Sequence, residues 1–241
     1  MITKNKIKEL SKLSQKKFRK EFGKVVIEGE RLIDNLILNK IAIIEIYINS
    51  EYKHNFEKYL HLPHFYLTYE QISKITSTKH PPTVAALIET KNKIIHSKKK
   101  LIFLDGISEP GNLGTIFRTA SAFNIDGIIL SPDCCEIFNP KVIRSSLGAV
   151  FTIPSKIQNH SWLEMQKSTI ISTALSNSIP MEKFVLPSCD TILVFGSEAN
   201  GISQEILSIS DHIIKVTIGE NMESLNVAVA SGIVLHYFLF S

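Results

Sequence analysis

The chain carries two successive patterns of apolar and polar positions. In residues 1–24, Leu10, Leu13 and Phe18 form a thin apolar stripe at helical spacing among many lysines, which predicts a helix. Val25–Gly29 reads as a short strand stopped by Gly29, and Arg31–Leu38 as a helix. Ile41–Ile48 is rich in β-branched residues and predicts a buried strand; a helix and a strand follow through Tyr69, and Val84–Ile88 is another strand. These elements make a small α/β domain over residues 1–95. Residues 96–100, with His96, Ser97 and three lysines, lack apolar content and predict a linker.

From Leu101 the pattern changes to strands alternating with helices. Leu101–Asp105 predicts a strand, Leu113–Phe123 a helix, Ile128–Leu130 a strand and Pro140–Leu147 a helix. Short strands at Phe151–Ile153 and Thr169–Ala174 are expected to flank a helix around Trp162. Thr191–Phe195 predicts a strand, Ser203–Ser208 a helix and His212–Ile218 a strand, after which Ser224 is placed to cap a long helix from Leu225. Such alternation implies a mostly parallel sheet covered on both faces. Ligands of open α/β sheets bind beyond the carboxyl ends of the strands. That directs attention to three loops: 105–114, 196–203 and 218–226.

Charge sharpens the division. The net charge of +4 is unevenly spread: residues 1–100 carry a net of about +10 and the remainder about −6. The first unit is therefore a candidate to meet a polyanion, although a basic patch alone is equally a solvated helix face. Three cysteines, Cys134, Cys135 and Cys189, show no metal-ligand spacing and fit a reducing cytoplasm; no metal is expected. No apolar signal core follows the basic N-terminus, and the apolar run Val227–Phe240 is too short for a membrane span.

The three loops hold the chemistry. The first, Asp105 to Ala120, has Asn112 at the opening of a helix and Arg118 two turns further in. An Arg in an otherwise apolar helix pairs with an internal carboxylate or meets a ligand phosphate, since an unpaired buried charge is costly. In the second, Gly196 and Gly201 allow close backbone approach, but neither the spacing nor Glu198 suits a nucleoside triphosphate; Glu198 is a solvated acid or a partner for Arg118. In the third, Ser224 precedes Leu225, Asn226 and the small residues Ala228 and Ala230.

Together these segments resemble the SpoU-like (TrmH-type) RNA 2′-O-ribose methyltransferases of the trefoil-knot class. The resemblance rests on Asn112-Leu113-Gly114 through Arg118-Thr119-Ala120, on Gly196, Glu198 and Gly201, and on Ser224 to Val227, with Asn139 to Ala149 as a further common stretch. It covers residues 101–241 strongly. Phe22 to Glu30 and His80 to Val84 are more softly similar to the family's ribosomal-protein-like RNA-binding domain. The third motif departs from the family's usual Ile-Pro-Met and following Gly, having Val216-Thr217-Ile218 and Glu220.

The resemblance implies a knotted, S-adenosylmethionine-binding domain over residues 101–241. It implies a catalytic group of Asn112, Arg118, Glu198, Ser224 and Asn226, with Arg118 as base or phosphate-positioning group. Cofactor contacts would come from Leu175, Phe195, Gly196, Gly201, Ile218 and Leu225. RNA, ribosomal in preference to transfer, would meet Lys16, Lys17, Arg19, Lys20, Arg31 and Arg144. A homodimer through the C-terminal knot domain and a cytoplasmic location are also implied. The competing readings are a non-catalytic RNA-binding or ribosome-assembly protein with a decayed site, suggested by Thr217 and Glu220, and a Rossmann oxidoreductase, which the absence of Gly-x-Gly-x-x-Gly after Asp105 disfavours.

Overall fold

The computed structural model describes residues 2–78, 80–97 and 99–240. Met1, Lys79, Ser241 and Lys98 of the expected linker lie outside the described residues. Two sheets organise the chain. The first contains β1 (Lys24–Glu28), β2 (Ile43–Asn49), β3 (His64–Leu67) and β4 (Val84–Glu89) in the order β1-β4-β2-β3. β4 runs antiparallel to both neighbours, whereas β2 and β3 are parallel. Helices α1 (Lys4–Lys12), α2 (Lys16–Phe22), α3 (Glu30–Leu38) and α4 (Tyr69–Ile75) accompany this sheet. α4 lies beyond the strand expected to end near Tyr69, in a stretch to which the sequence pattern assigned no element; Thr68 and Gln71 close a reciprocal capping box at its start.

The single expected N-terminal helix is two helices broken at Leu13–Gln15. Ile7, Leu10 and Leu13 are buried against the sheet, while Phe18 belongs to the second helix. Arg19 explains the break. Its Nη1 donates to the carbonyls of Leu13 (2.8 Å) and Ser14 (2.7 Å), which satisfies oxygens left over where α1 stops.

The second sheet has seven strands, all parallel: β5 (Lys100–Asp105), β6 (Gly127–Leu130), β7 (Ser155–Ile157), β8 (Thr169–Thr173), β9 (Ile179–Pro180), β10 (Thr191–Gly196) and β11 (His212–Lys215). Their order is β7-β6-β5-β10-β8-β11-β9. Every residue of β10 is buried, which is why Thr191-Ile192-Leu193-Val194-Phe195 reads as an unbroken apolar run. Helices α5 (Pro110–Ala122), α6 (Pro140–Ser145), α7 (Ser161–Glu164), α8 (Gln204–Ile209) and α9 (Val227–Phe240) complete the unit. No helix among the described residues is long and apolar enough to cross a membrane.

Two expectations are corrected. Ala149–Phe151 forms a turn of 3₁₀ helix, and the strand lies later, at Ser155–Ile157. The β-branched run is overridden by Gly148, whose φ of +82° turns the chain and whose missing side chain makes room for Leu36 and Leu32 of α3. β11 ends at Lys215, leaving 216–226 without regular structure. In the 96–100 segment, Lys100 begins β5, and Asp126 accepts hydrogen bonds from Ser97 Oγ (2.8 Å) and Lys100 N (3.0 Å).

The two sheets are not loosely strung. One buried cluster runs from Val25, Ile27, Leu32 and Leu36 to Val142, Ile143, Val150 and Phe151. Asn35 Nδ2 donates to the Leu147 carbonyl at 2.7 Å across the junction. Apolar burial on both sides of a junction opposes hinge motion, because separation would expose it to water.

Candidate active site

Strands β5, β10, β8 and β11 are neighbours in the sheet, so their carboxyl ends, and the loops that follow them, lie side by side. The loops that the sequence separates by about 90 and 20 residues therefore share one edge. Gly106 turns the first loop with a φ of +67°. Glu109, not Asn112, caps α5: its carboxylate accepts from Gly111 N, and Pro110 takes the first helical position, where a missing N–H costs nothing. Asn112 thus sits inside the first turn, with its amide projecting from the helix.

That amide joins all three loops. Asn112 Nδ2 donates to Glu198 Oε1 of the second loop. Asn112 Oδ1 accepts from Asn226 Nδ2 of the third at 3.0 Å. Asn226 Oδ1 in turn accepts from Ala228 N (3.0 Å) and Val229 N (3.3 Å), so Asn226 is the N-cap of α9. The capping role expected of Ser224 is corrected: Ser224 lies exposed two residues before the cap. One Asn side chain has a donor and an acceptor to spend, and Asn226 uses both, which a serine hydroxyl in that place could not do with the same reach.

The second loop is held by close backbone packing. Ser197 and Gly201 exchange main-chain hydrogen bonds of 3.1 and 2.9 Å around a tight turn that presents Glu198. A Cβ on Gly196 would come within 2.1 Å of the Gly201 carbonyl carbon, so only glycine fits there. Gly201 adopts a φ of +65° and faces open space.

Arg118 lies on the exposed face of α5. Among the described residues it forms no hydrogen bond or ion pair, and Glu198 is engaged by Asn112 instead. No carboxylate is paired with Arg118 among the described residues. The helix keeps Leu113, Ile116, Phe117 and Ala120 on its buried side, so Arg118 bears no burial cost.

The residues expected to hold a cofactor divide. Leu175 follows β8 and is exposed, Ile218 and Leu225 are half-buried in the third loop, and Gly201 is exposed. Phe195 is fully buried in the core and can offer a ligand only its main chain. From Ile218 to Leu225 the chain forms only a turn at Glu220–Asn221, so most of its amides and carbonyls are open at this edge.

Sequence reasoning missed Asp105 and His160. Asp105 ends β5 almost fully buried; its Oδ2 accepts from Ser203 N (2.9 Å) and its Oδ1 meets His160 Nε2 (2.9 Å). His160 Nδ1 meets Glu205 of α8, also at 2.9 Å. Burial by itself would lower the imidazole's pKa, but Glu205 and Asp105 together raise it above the ordinary histidine value. This tie fixes the end of the second loop to the start of the first. The available signal was an acid closing an otherwise apolar buried strand.

Of the expected RNA-contacting residues, Lys16, Lys17, Lys20 and Arg31 are exposed. Arg19 is corrected. It is buried, its Nε donates to Glu136 Oε1 at 3.0 Å and its Nη2 pairs with Glu136 Oε2, while Nη1 serves α1. Four of its five N–H donors are engaged inside the protein, and at 3% exposure the guanidinium is closed to a phosphate. Arg144 is partly committed, donating to Ser77 Oγ (2.9 Å) beside the buried Glu28 carboxylate.

Comparison with known proteins completes the description. The model of the SpoU rRNA Methylase family matches residues 99–236, and that of the MRM3-like substrate binding domain matches residues 4–86. The 23S rRNA (guanosine(2553)-2′-O)-methyltransferase RlmP of Bacillus subtilis is 30% identical over 237 residues, covering 96% of this chain and 95% of its own. The 23S rRNA (guanosine-2′-O-)-methyltransferase RlmB of Coxiella burnetii is 29% identical, covering 70% of this chain and 74% of its own. The crystal structure of AdoMet-bound rRNA methyltransferase from Sinorhizobium meliloti superposes with a TM-score of 0.84 at 25% identity, covering 98% of this chain and 95% of that one.

Proposed function

Because the chain belongs to the SpoU rRNA Methylase family, we propose that it transfers the methyl group of S-adenosylmethionine to a ribose 2′-hydroxyl of ribosomal RNA. The observation that carries this reading is the Asn112 amide bonded at once to Glu198 and Asn226, which draws the three motif loops together on the same helix as an exposed, uncommitted Arg118.

The residues present suit the cofactor. Open amides and carbonyls along Ile218–Leu225 supply donors and acceptors for a polar, zwitterionic ligand, and the exposed Leu175 and Met222 supply apolar surface for its base. Thr217, in place of the family's proline, donates to Glu182 Oε2 at 3.0 Å, so a side-chain bond restrains the loop where a ring otherwise would. This restraint at Thr217 supports an active site over the decayed-site reading.

When bound, S-adenosylmethionine supplies an electrophilic methyl group. The protein's part is to align and deprotonate the 2′-hydroxyl, a weak nucleophile at neutral pH. Arg118 presents a permanently charged fork suited to the phosphate beside that ribose. Holding the phosphate fixes the hydroxyl, and a phosphate oxygen receives its proton while the guanidinium keeps its charge. Asn112, Glu198 and Asn226 keep the loops in register around the reacting atoms, and Ser224 stands exposed beside them for the ribose. Residues 1–95 would bind the RNA, with Lys16, Lys17, Lys20 and Arg31 on its phosphates, and residues 101–241 would be the catalytic, knotted domain, joined by 96–100. A homodimer through the C-terminal domain and a cytoplasmic location belong to the same reading.

The test is direct. Arg118→Ala should bind S-adenosylmethionine as the wild type does in calorimetry and lose transfer to rRNA. Retained transfer would remove Arg118 from the mechanism, and absent cofactor binding by the wild type would favour the non-catalytic alternative.

A further inference from the structure

Resting on the RNA reading above, we propose that α2 is a base-stacking platform: an unpaired base of the RNA lies on Phe22, with the flanking phosphates held by Lys16, Lys17 and Lys20. Phe18 and Phe22 are four residues apart on one face of α2, with ring centroids 6.0 Å apart and planes 14° from parallel. Neither ring joins any of the three buried clusters, so these phenylalanines do not build the core. Phe22 is 44% exposed, although it sits in a lysine-rich stretch of the chain. The ammonium groups of Lys12 and Lys17 lie 5.3 and 5.8 Å from the Phe18 ring centroid.

An open aromatic ring, stacked beside a second ring that carries two ammonium groups, is the chemistry that reads single-stranded RNA. Bases have a π-face whatever their sequence, and their phosphates need positive charge. A duplex, whose bases are already stacked, gains only the lysines. Charge complementarity also argues against a neutral apolar partner, which would leave the lysines unanswered.

The platform is rigid and aimed. On the buried side of α2, Arg19 grips Glu136 with both arms of its guanidinium. The adjacent Cys135 N–H donates to the Ile107 carbonyl at 2.9 Å, in the loop that leads to Asn112. Thus two short connections tie the stacking face to the loop bearing the first motif. A base caught on Phe22 would hold its strand against the edge where the ribose must be presented.

The experiment uses the full chain and three probes: a mixed-sequence 12-nucleotide single-stranded RNA, the same RNA as a duplex, and an abasic strand of equal length, each read by fluorescence anisotropy. Phe22→Ala should weaken the single strand by about fivefold or more and leave the duplex and abasic strand unchanged. Phe22→Leu, which keeps apolar bulk without a ring, should behave like Phe22→Ala, and Phe22→Tyr like the wild type. Equal loss on all three probes, or no loss, would overturn the platform while leaving the RNA reading intact. Failure of the wild type to bind any probe would overturn the RNA reading itself. Self-association lost in Phe22→Ala with RNA binding unchanged would assign this face to a second copy of the chain and overturn the proposal.

Discussion

Asn226 donates its side-chain amide to Asn112 at 3.0 Å across 114 residues of chain, and the same Asn112 donates to Glu198. Three loops that are remote in sequence thereby become one site. Asn112→Ala cuts both bonds at once. Since all three side chains are exposed or half-exposed, stability should change by less than about 1 kcal/mol. Turnover should fall about 100-fold, because small misplacements of a positioning group are costly in rate. Thermal melting alongside single-turnover methyl transfer measures both; a large loss of stability with unimpaired turnover would contradict the positioning role.

Gly196→Ala should act through packing. Its new Cβ would meet main-chain atoms of Gly201 at 2.1 and 2.2 Å, which cannot rotate away. Overpacking of this kind costs about 1–3 kcal/mol, and the displaced second loop should lose cofactor binding. Gly201→Ala faces open space and bears only the cost of its positive φ, about 1–2 kcal/mol. Calorimetric binding of S-adenosylmethionine should therefore separate the two, with Gly196→Ala the more damaged.

Arg19→Ala tests whether a basic residue in the RNA-binding half serves the fold. It would strand Glu136 and two carbonyls, costing about 3 kcal/mol and lowering Tm by roughly 6–12 °C. Lys17→Ala should leave Tm unchanged and reduce the salt dependence of RNA binding by about one unit of slope. The reverse pattern would restore Arg19 as an RNA contact.

The strand-and-loop plan was legible because parallel strands buried on both faces must be apolar, and their carboxyl-end loops then stand out as polar and glycine-bearing. Asn112, Glu198 and Asn226 were legible from the motifs. The cap at Asn226 was not, because Ser224 and Asn226 cap equally well in isolation, and contact with Asn112 decides between them. Arg19 was legible as a charge but not as a buried one, since its partner lies 117 residues away. The turn at Ala149–Phe151 was hidden for a similar reason: α3 packs against Gly148, and no local propensity reports that.

His160 gives a pH dependence. Its folded pKa is raised, so its tie to Asp105 and Glu205 contributes fully below the unfolded value of about 6.5 and is lost as pH rises through the raised folded value. Tm should fall over that window in the wild type and stay flatter in His160→Gln. Identical pH profiles would show that the tie does not depend on the imidazole's charge.

The central claim is tested most directly by mass spectrometry of rRNA nucleosides from cells lacking the gene. The account predicts the loss of one 2′-O-methylated nucleoside, restored by the wild-type chain and not by Arg118→Ala. An unchanged set of ribose methylations, or restoration by Arg118→Ala, would contradict it.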